Sequence, residues 1–263
     1  MNTLQAIIIS VVEGITEFLP ISSTAHMKFA NPLLGISNDT FTDMYEVVIQ
    51  LAAILAVVVI FFKKFINFKQ FSFYIKLAIA VLPALLFGAV LKKYIDEALS
   101  NLPFIACVMI GGGILLLFVD KWFTKPTIHT EEAINNSTAL KIGGFQVLSI
   151  ILPGLSRSAA TIIGGMSQGL SRSAAAEFSF FLAVPTMLAA SAKSGYDAYS
   201  KDATVLQGNN VTLLVLGSII AFVVSILAIK TFVGLVKKYG FRPFGIYRIL
   251  AGTAMLVWLY FNA

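Results

Sequence analysis

The stretch "EGITEFLPISSTAH", residues 13–26, places two carboxylates, a run of hydroxyls and an imidazole inside an otherwise apolar segment. Glu13 and Glu17 are four residues apart, so on a helix they share one face and can point into the same wet cavity. Two anions that close repel unless a cation lies between them or one keeps its proton. Ligation by oxygen alone suits Mg2+ or Ca2+ and argues against a structural zinc, which makes Glu13 and Glu17 the candidate metal ligands. Ser22, Ser23 and Thr24 offer hydroxyls to orient or attack an electrophile. His26 is placed to carry the proton, since imidazole titrates near neutral pH.

A second stretch, "PGLSRSAATI" (153–162), sets Arg157 between Ser156 and Ser158. The planar guanidinium fork matches phosphate oxygens, and Gly154 lets backbone amides approach an anion. A plainer alternative pairs Arg157 with a structural carboxylate such as Glu177. If the two stretches meet, acids, hydroxyls and a histidine face an arginine, and that set suits a phosphoryl group. Arg157 and a divalent cation would neutralise its charge, a hydroxyl or a water would attack, and an acid or base would move the proton. Other chemistries lack their signs. "GLSRS" is not the Gly-x-Ser-x-Gly elbow of hydrolases, and "GGGILL" at 111 has no following lysine for a phosphate loop and reads as a close-packing helix face. The second Ser-Arg-Ser, 171–173, reads as a helix start and structural pairing rather than catalysis.

These residues must be positioned inside a very apolar chain. Hydrophobic residues make up 58% of the 263 and charged residues 12%, which points to an integral membrane protein. Six stretches are long enough to cross a bilayer as helices: 44–62, 75–91, 103–119, 176–192, 211–229 and 244–261. The net charge of +6 comes from basic residues at the ends of these spans, so they read as topology signals rather than a nucleic-acid surface. No Lys or Arg precedes Lys28, so the first segment is not expected to be a cleaved signal. The single cysteine, Cys107, excludes an intrachain disulfide and is expected as a small buried hydrophobe.

The chain also resembles itself. "LPISSTAH" (19–26) matches "LPGLSRSAA" (152–160) with one insertion, Glu46 matches Glu177, and "PFIACVMIGG" (103–112) matches "PFGIYRILAG" (243–252), in the same order. Each half, 1–122 and 138–263, holds one polar-interrupted segment followed by three spans. An odd number of crossings turns the second half over, giving an inverted repeat. The interrupted segments, 3–33 and 140–170, carry Pro20 and Pro153 and fit re-entrant helix pairs, which survive at membrane depth only where protein or water satisfies the backbone. In this topology the loops 63–76, 120–141 and 230–243 hold 11 of the 19 Lys and Arg, against five on the other side. The richer side is then cytoplasmic, and the first interrupted segment opens outward. The expected fold is thus an all-α integral membrane protein: six transmembrane helices plus two re-entrant helix pairs in an inverted-topology repeat, within one domain spanning 1–263.

At these residues the chain resembles the bacterial undecaprenyl-diphosphatase family of the bacitracin-resistance type. The likeness covers nearly the whole chain through "EGITEFLPISSTAHM", "VVIQLAAILAV", "PGLSRSAATI" and "EFSFFLAVP", in order. The resemblance implies removal of the terminal phosphate from undecaprenyl diphosphate with a divalent cation, recycling the lipid carrier for peptidoglycan synthesis in the bacterial plasma membrane, from an active site open to the outer face. By motif match Glu13, Glu17, Ser23, Thr24, His26 and Arg157 would be the active-site residues. Two positions depart from the family's usual glycines, Ala25 and Ala159, and alanine tolerates positive φ poorly. Expected partners are a polyprenyl diphosphate and membrane lipid. A homodimer is compatible with the sequence, and nucleic acid is not expected. The rival reading is an ion-coupled transporter or flippase of a lipid phosphate or small anion, because broken helices meeting at the midplane also build secondary transporters.

Overall fold

In the computed structural model, residues 1–67 and 71–262 are described; residues 68–70, inside the basic loop 63–76, and residue 263 lie outside the described set. Six helices are long and apolar enough to cross a membrane: α3 (Thr40–Ile60), α5 (Phe71–Val90), α7 (Leu102–Trp122), α10 (Arg172–Lys201), α11 (Asn209–Tyr239) and α12 (Arg242–Asn262). The shorter helices are α1 (Thr3–Thr16), α2 (Ser23–Leu33), α4 (Phe62–Phe65), α6 (Lys92–Ser100), α8 (Asn136–Ile151) and α9 (Arg157–Ser167). No strand forms among the described residues. The protein is an all-α integral membrane protein, and each expected span coincides with one long helix. α10 and α11 run well past the expected 176–192 and 211–229, because hydropathy falls at Lys193 and Lys230 while nothing in the following residues stops a helix.

Helix starts are fixed by side chains that accept the first free amides. Asn2 and Gln5 form a reciprocal capping box on α1. Asp39 caps α3 through Thr42 N at 2.8 Å, Asn101 caps α7 through Phe104 N at 3.0 Å, and Asn135 caps α8 through Thr138 N at 2.8 Å. Ser171 caps α10, and Arg172 pairs with Asp120 at 2.6 Å, so the second Ser-Arg-Ser is a structural helix start.

Two short helix pairs, α1–α2 and α8–α9, sit among the long helices. α1 has 14 residues and α8 has 16, so neither reaches across a hydrocarbon core of about 30 Å at about 1.5 Å per residue. The packing maps onto itself when the halves are exchanged: α3 lies on α10, α7 on α12, α1 on α11 as α8 on α5, and α11 on α3 as α5 on α10. Close approach needs small residues; a Cβ on Gly143 of α8 would lie 2.1 Å from the Ala80 carbonyl oxygen of α5. α2 is tied to α3 by Lys28, which pairs with Asp43 and Glu46 at 3.0 Å each, and by Asn31, which donates to Glu46 at 2.7 Å.

The interior is apolar, and so is the outside: Leu82, Leu86, Leu227 and Leu250 are all exposed on long helices. Cys107 is exposed too, contrary to the burial expected of it. A helix facing lipid gains nothing by hiding an apolar side chain, so periodicity does not separate inside from outside here. In the loop before α8, the Lys64 ammonium binds both Glu131 and Glu132. That hydrogen bond, then one from a backbone amide, pulls the Glu132 carboxyl down to about 2. Its contribution to stability is therefore present above the ordinary carboxylate range and is lost as pH falls from there toward about 2.

Candidate active site

Both short pairs turn over at a serine in the left-handed region, Ser22 at φ 72° and Ser156 at φ 76°. Such a conformation is rare for a residue with a side chain and is held only where the surroundings over-determine it. Each serine is the N-cap of the helix that follows, its Oγ accepting from the amide three residues on, Ala25 N and Ala159 N, at 3.3 Å in both cases. This places Ser22 with Ser156, Ser23 with Arg157, Thr24 with Ser158 and Ala25 with Ala159. The two alanines that replace the usual glycines are helical, so neither strains its tip.

Arg248, fully buried on α12, holds the two tips together. Its guanidinium donates to the carbonyls of Pro20 on the first tip (3.0 Å), Gly154 and Leu155 on the second (2.8 and 2.6 Å), and Met109 on α7 (3.0 Å). Gly112 leaves room for it, since a Cβ there would meet Arg248 Nη2 at 2.2 Å, and Gly113 abuts Gly245 of α12. Two of the three glycines, Gly112 and Gly113, form the close-packing face that the sequence suggests, while a Cβ on Gly111 would meet no neighbour among the described residues. Replacing Arg248 with methionine strands four buried acceptors, each costing about 1–3 kcal/mol when left unpaired. A net loss of about 3 kcal/mol would lower the melting temperature in detergent by about 6–12 °C for a chain of this size. An unchanged melting temperature would refute the clamp.

At the junction, Glu17 bridges the two tips. Its Oε1 accepts from Arg157 Nη2 at 2.5 Å and its Oε2 accepts from Ser23 Oγ at 2.5 Å. Arg157 thus pairs with Glu17 rather than with Glu177. Its Nη1 donates to the Ser179 carbonyl at 3.3 Å, while Thr161 bonds both the Arg157 carbonyl (2.9 Å) and the Ser179 hydroxyl (2.7 Å), fixing the arginine's helix against α10. Ser158 Oγ donates to the Leu19 carbonyl at 3.1 Å, a further stitch between tips.

A cavity of about 170 Å3 opens over this junction, lined by Glu17, Ser22, Ser23, Thr24, Ser156, Arg157 and Ser158. It far exceeds the roughly 10–15 Å3 that one water needs. The N-termini of α2 and α9 both end at its wall, and their free amides and dipoles favour an anion there. Gln50, Gln146, Ser149 and Thr186 also line it and were not singled out from sequence. Their signal is a polar residue inside an apolar run, as in "VVIQLAA" and "FQVLS". Gln146 accepts from Thr186 Oγ1 at 3.3 Å, while its Nε2 has no hydrogen-bond partner among the described residues.

Three residues sit elsewhere than expected. Glu13 shares the helical face of Glu17 but is one turn inside α1 and fully buried, because the chain leaves the helix at Glu17; it does not line the cavity. Both of its carboxylate oxygens lack a hydrogen-bond partner among the described residues. Gly154 is also off the wall: its φ of 99° and the Ile105 carbonyl, 2.5 Å from where a Cβ would be, mark a turn packed against α7, with its own carbonyl on Arg248. His26 faces away from the cavity, one ring nitrogen 2.7 Å from the Ser22 carbonyl and the other 2.7 Å from the Tyr247 hydroxyl.

Residues 6–254 match the family model described as Bacitracin resistance protein BacA. Similar curated proteins include those named undecaprenyl-diphosphatase in Flavobacterium johnsoniae, 51% identical over 98% of this chain and 96% of the relative, and in Porphyromonas gingivalis W83, 44% identical with the same coverage. One of the same name in Bdellovibrio bacteriovorus is 43% identical over 99% of this chain and 97% of its own length. A paired-tip cavity built on the motif residues, inside a full-length match of this kind, makes the chain a member of the bacitracin-resistance BacA family.

Proposed function

We propose that the protein is an undecaprenyl-diphosphatase of the bacterial plasma membrane. It removes the terminal phosphate of undecaprenyl diphosphate, returns the lipid carrier to peptidoglycan synthesis, and thereby confers bacitracin resistance. The carrying observation is the Glu17 carboxylate held between the Ser23 hydroxyl and the Arg157 guanidinium. A nucleophile bonded to a base, with a phosphate-binding fork on the same base, is the arrangement phosphoryl transfer needs.

The diphosphate enters sideways between spans with its tail in lipid. Arg157 leaves Glu17 for the terminal phosphate, which frees Glu17 to take the Ser23 proton. Ser23 Oγ bonds to the terminal phosphorus as the bridging P–O bond breaks and undecaprenyl phosphate leaves. Water then displaces Ser23 Oγ, which recovers its proton from Glu17, and both of the water's protons depart on inorganic phosphate. Ser22, Thr24, Ser156, Ser158 and the amides of the two helix starts hold the phosphate oxygens. The Gln146 amide is a further donor at the wall.

The residues fit a divalent cation. Beside Glu17, Glu13 presents two buried oxygens without hydrogen-bond partners among the described residues, and a buried carboxylate left so is costly unless a cation or proton accompanies it. Glu13 and Glu17 would hold the ion, and an all-oxygen carboxylate donor set suits Mg2+ or Ca2+. When bound, the ion would neutralise charge on the diphosphate. The Lys and Arg distribution supports a cavity open to the outer face, and the exchange-symmetric packing supports inverted halves.

Detergent-solubilised protein, which has no compartments, should release phosphate from undecaprenyl diphosphate, lose that activity with a chelator, and regain it with Mg2+ or Ca2+. No release, together with ion-driven uptake in vesicles, would instead favour the transporter reading.

A further inference from the structure

His26 uses both ring nitrogens on neighbours away from the cavity. A carbonyl oxygen can only accept, so Nδ1 must carry the hydrogen that reaches the Ser22 carbonyl at 2.7 Å. In the neutral ring Nε2 is then the acceptor, and the Tyr247 hydroxyl donates to it at 2.7 Å. The Tyr247 ring also lies parallel to the imidazole, with centroids 5.6 Å apart and planes within 7°. Tyr247 comes from α12 of the opposite half, next in sequence to the Arg248 clamp. The Ser22 carbonyl that His26 holds belongs to the left-handed residue that directs Ser23 toward Glu17.

We infer that Tyr247 and His26 form a positioning relay. Tyr247 fixes the position of the imidazole ring, the Nδ1–H of that ring pins the Ser22 carbonyl, and the strained tip then presents the Ser23 hydroxyl to the phosphate. The inference rests on the phosphatase reading for its kinetic consequence alone. The reaction asks no proton of His26: Glu17 takes the one from Ser23, and the leaving group is a phosphate whose second pKa is near about 6, stable in water without protonation at departure. The groups facing the ring are the Ser22 carbonyl, the Tyr247 hydroxyl and, as the charged neighbour, Arg248.

Two readouts separate this relay from a proton-carrier role. The first needs no activity. The chain has two histidines, so 15N-histidine NMR of the full protein in detergent gives two ring systems, assigned with a His129→Gln control. His26 should show a neutral ring protonated at Nδ1 from pH 6 to 8, and Tyr247→Phe should shift the Nε2 resonance by removing its hydrogen bond while the proton stays on Nδ1. A ring protonated at Nε2, or one titrating freely across that range, would overturn the relay. The second readout is kinetic, on undecaprenyl diphosphate. Asparagine can place its amide N–H where Nδ1–H stood but cannot transfer protons at neutral pH. His26→Asn should keep at least a tenth of wild-type kcat, with the acid limb of its pH profile in place. His26→Ala should fall below a hundredth, and Tyr247→Phe should lose 5–20-fold in kcat with KM within twofold. His26→Asn as inactive as His26→Ala, with folded protein confirmed by an unchanged melting temperature, would overturn the relay. A wild-type protein that releases no phosphate would instead sink the phosphatase reading and leave the NMR result to decide the relay.

Discussion

Glu17→Gln is expected to lower kcat for phosphate release about 10^3-fold, within the range assigned to a positioned acid or base. Glutamine is nearly isosteric and its amide oxygen can still accept from Arg157 or Ser23, so the tip should keep its shape and the protein its melting temperature. What it loses is the ability to take the Ser23 proton. KM should stay level or fall, because Glu17 competes with substrate phosphate for the Arg157 fork at 2.5 Å. A steady-state comparison in detergent checks this directly. A drop confined to KM would mean that Glu17 only binds, and a variant within tenfold of wild type would remove it as the base.

Arg157→Lys is expected to cost about 10^2 to 10^3-fold in kcat/KM, the scale of a lost donor to developing charge. Lysine keeps the charge but has no planar fork, so it cannot hold both Glu17 and the Ser179 carbonyl, and it meets phosphate as a point charge rather than a bidentate partner. Arg157→Met should be worse by a further factor of about ten, since removing one member of a buried pair leaves the other uncompensated. Combining Arg157→Met with Glu17→Gln should then cost far less than the product of the two single losses, because residues acting as one unit are not additive. Full additivity of the two would show that they work at separate places.

The parts of this site that were legible in the sequence are those carried by residue types too costly to be incidental in an apolar chain. Glu17 and Arg157 stand out because ionised groups at membrane depth need a partner or a function, and the internal repeat set their two stretches opposite each other before any coordinates. The spans were legible for the same reason, since hydropathy is strong where lipid is the solvent. The rest depended on direction. Glu13 and Glu17 have one spacing and one face, yet the end of α1 falls between their roles, leaving one at the tip and the other buried beneath it. His26 follows the hydroxyl run, but one step around α2 turns it from the cavity to Tyr247, a residue 221 positions away. Gly154 reads as an anion loop, whereas its glycine serves the close approach of Ile105. Arg248 shows most plainly what sequence hides: a charge in a span, whose partners are backbone carbonyls that no pattern of side chains records.

An experimental structure with orthovanadate in place of the transferring phosphoryl group tests the paired-tip site most directly. The vanadium should lie within bonding reach of Ser23 Oγ, its oxygens on the Arg157 guanidinium and the amides opening α2 and α9, with Glu17 released from the arginine. Vanadate bound away from both tips, or at Arg157 alone with Ser23 turned elsewhere, would contradict it.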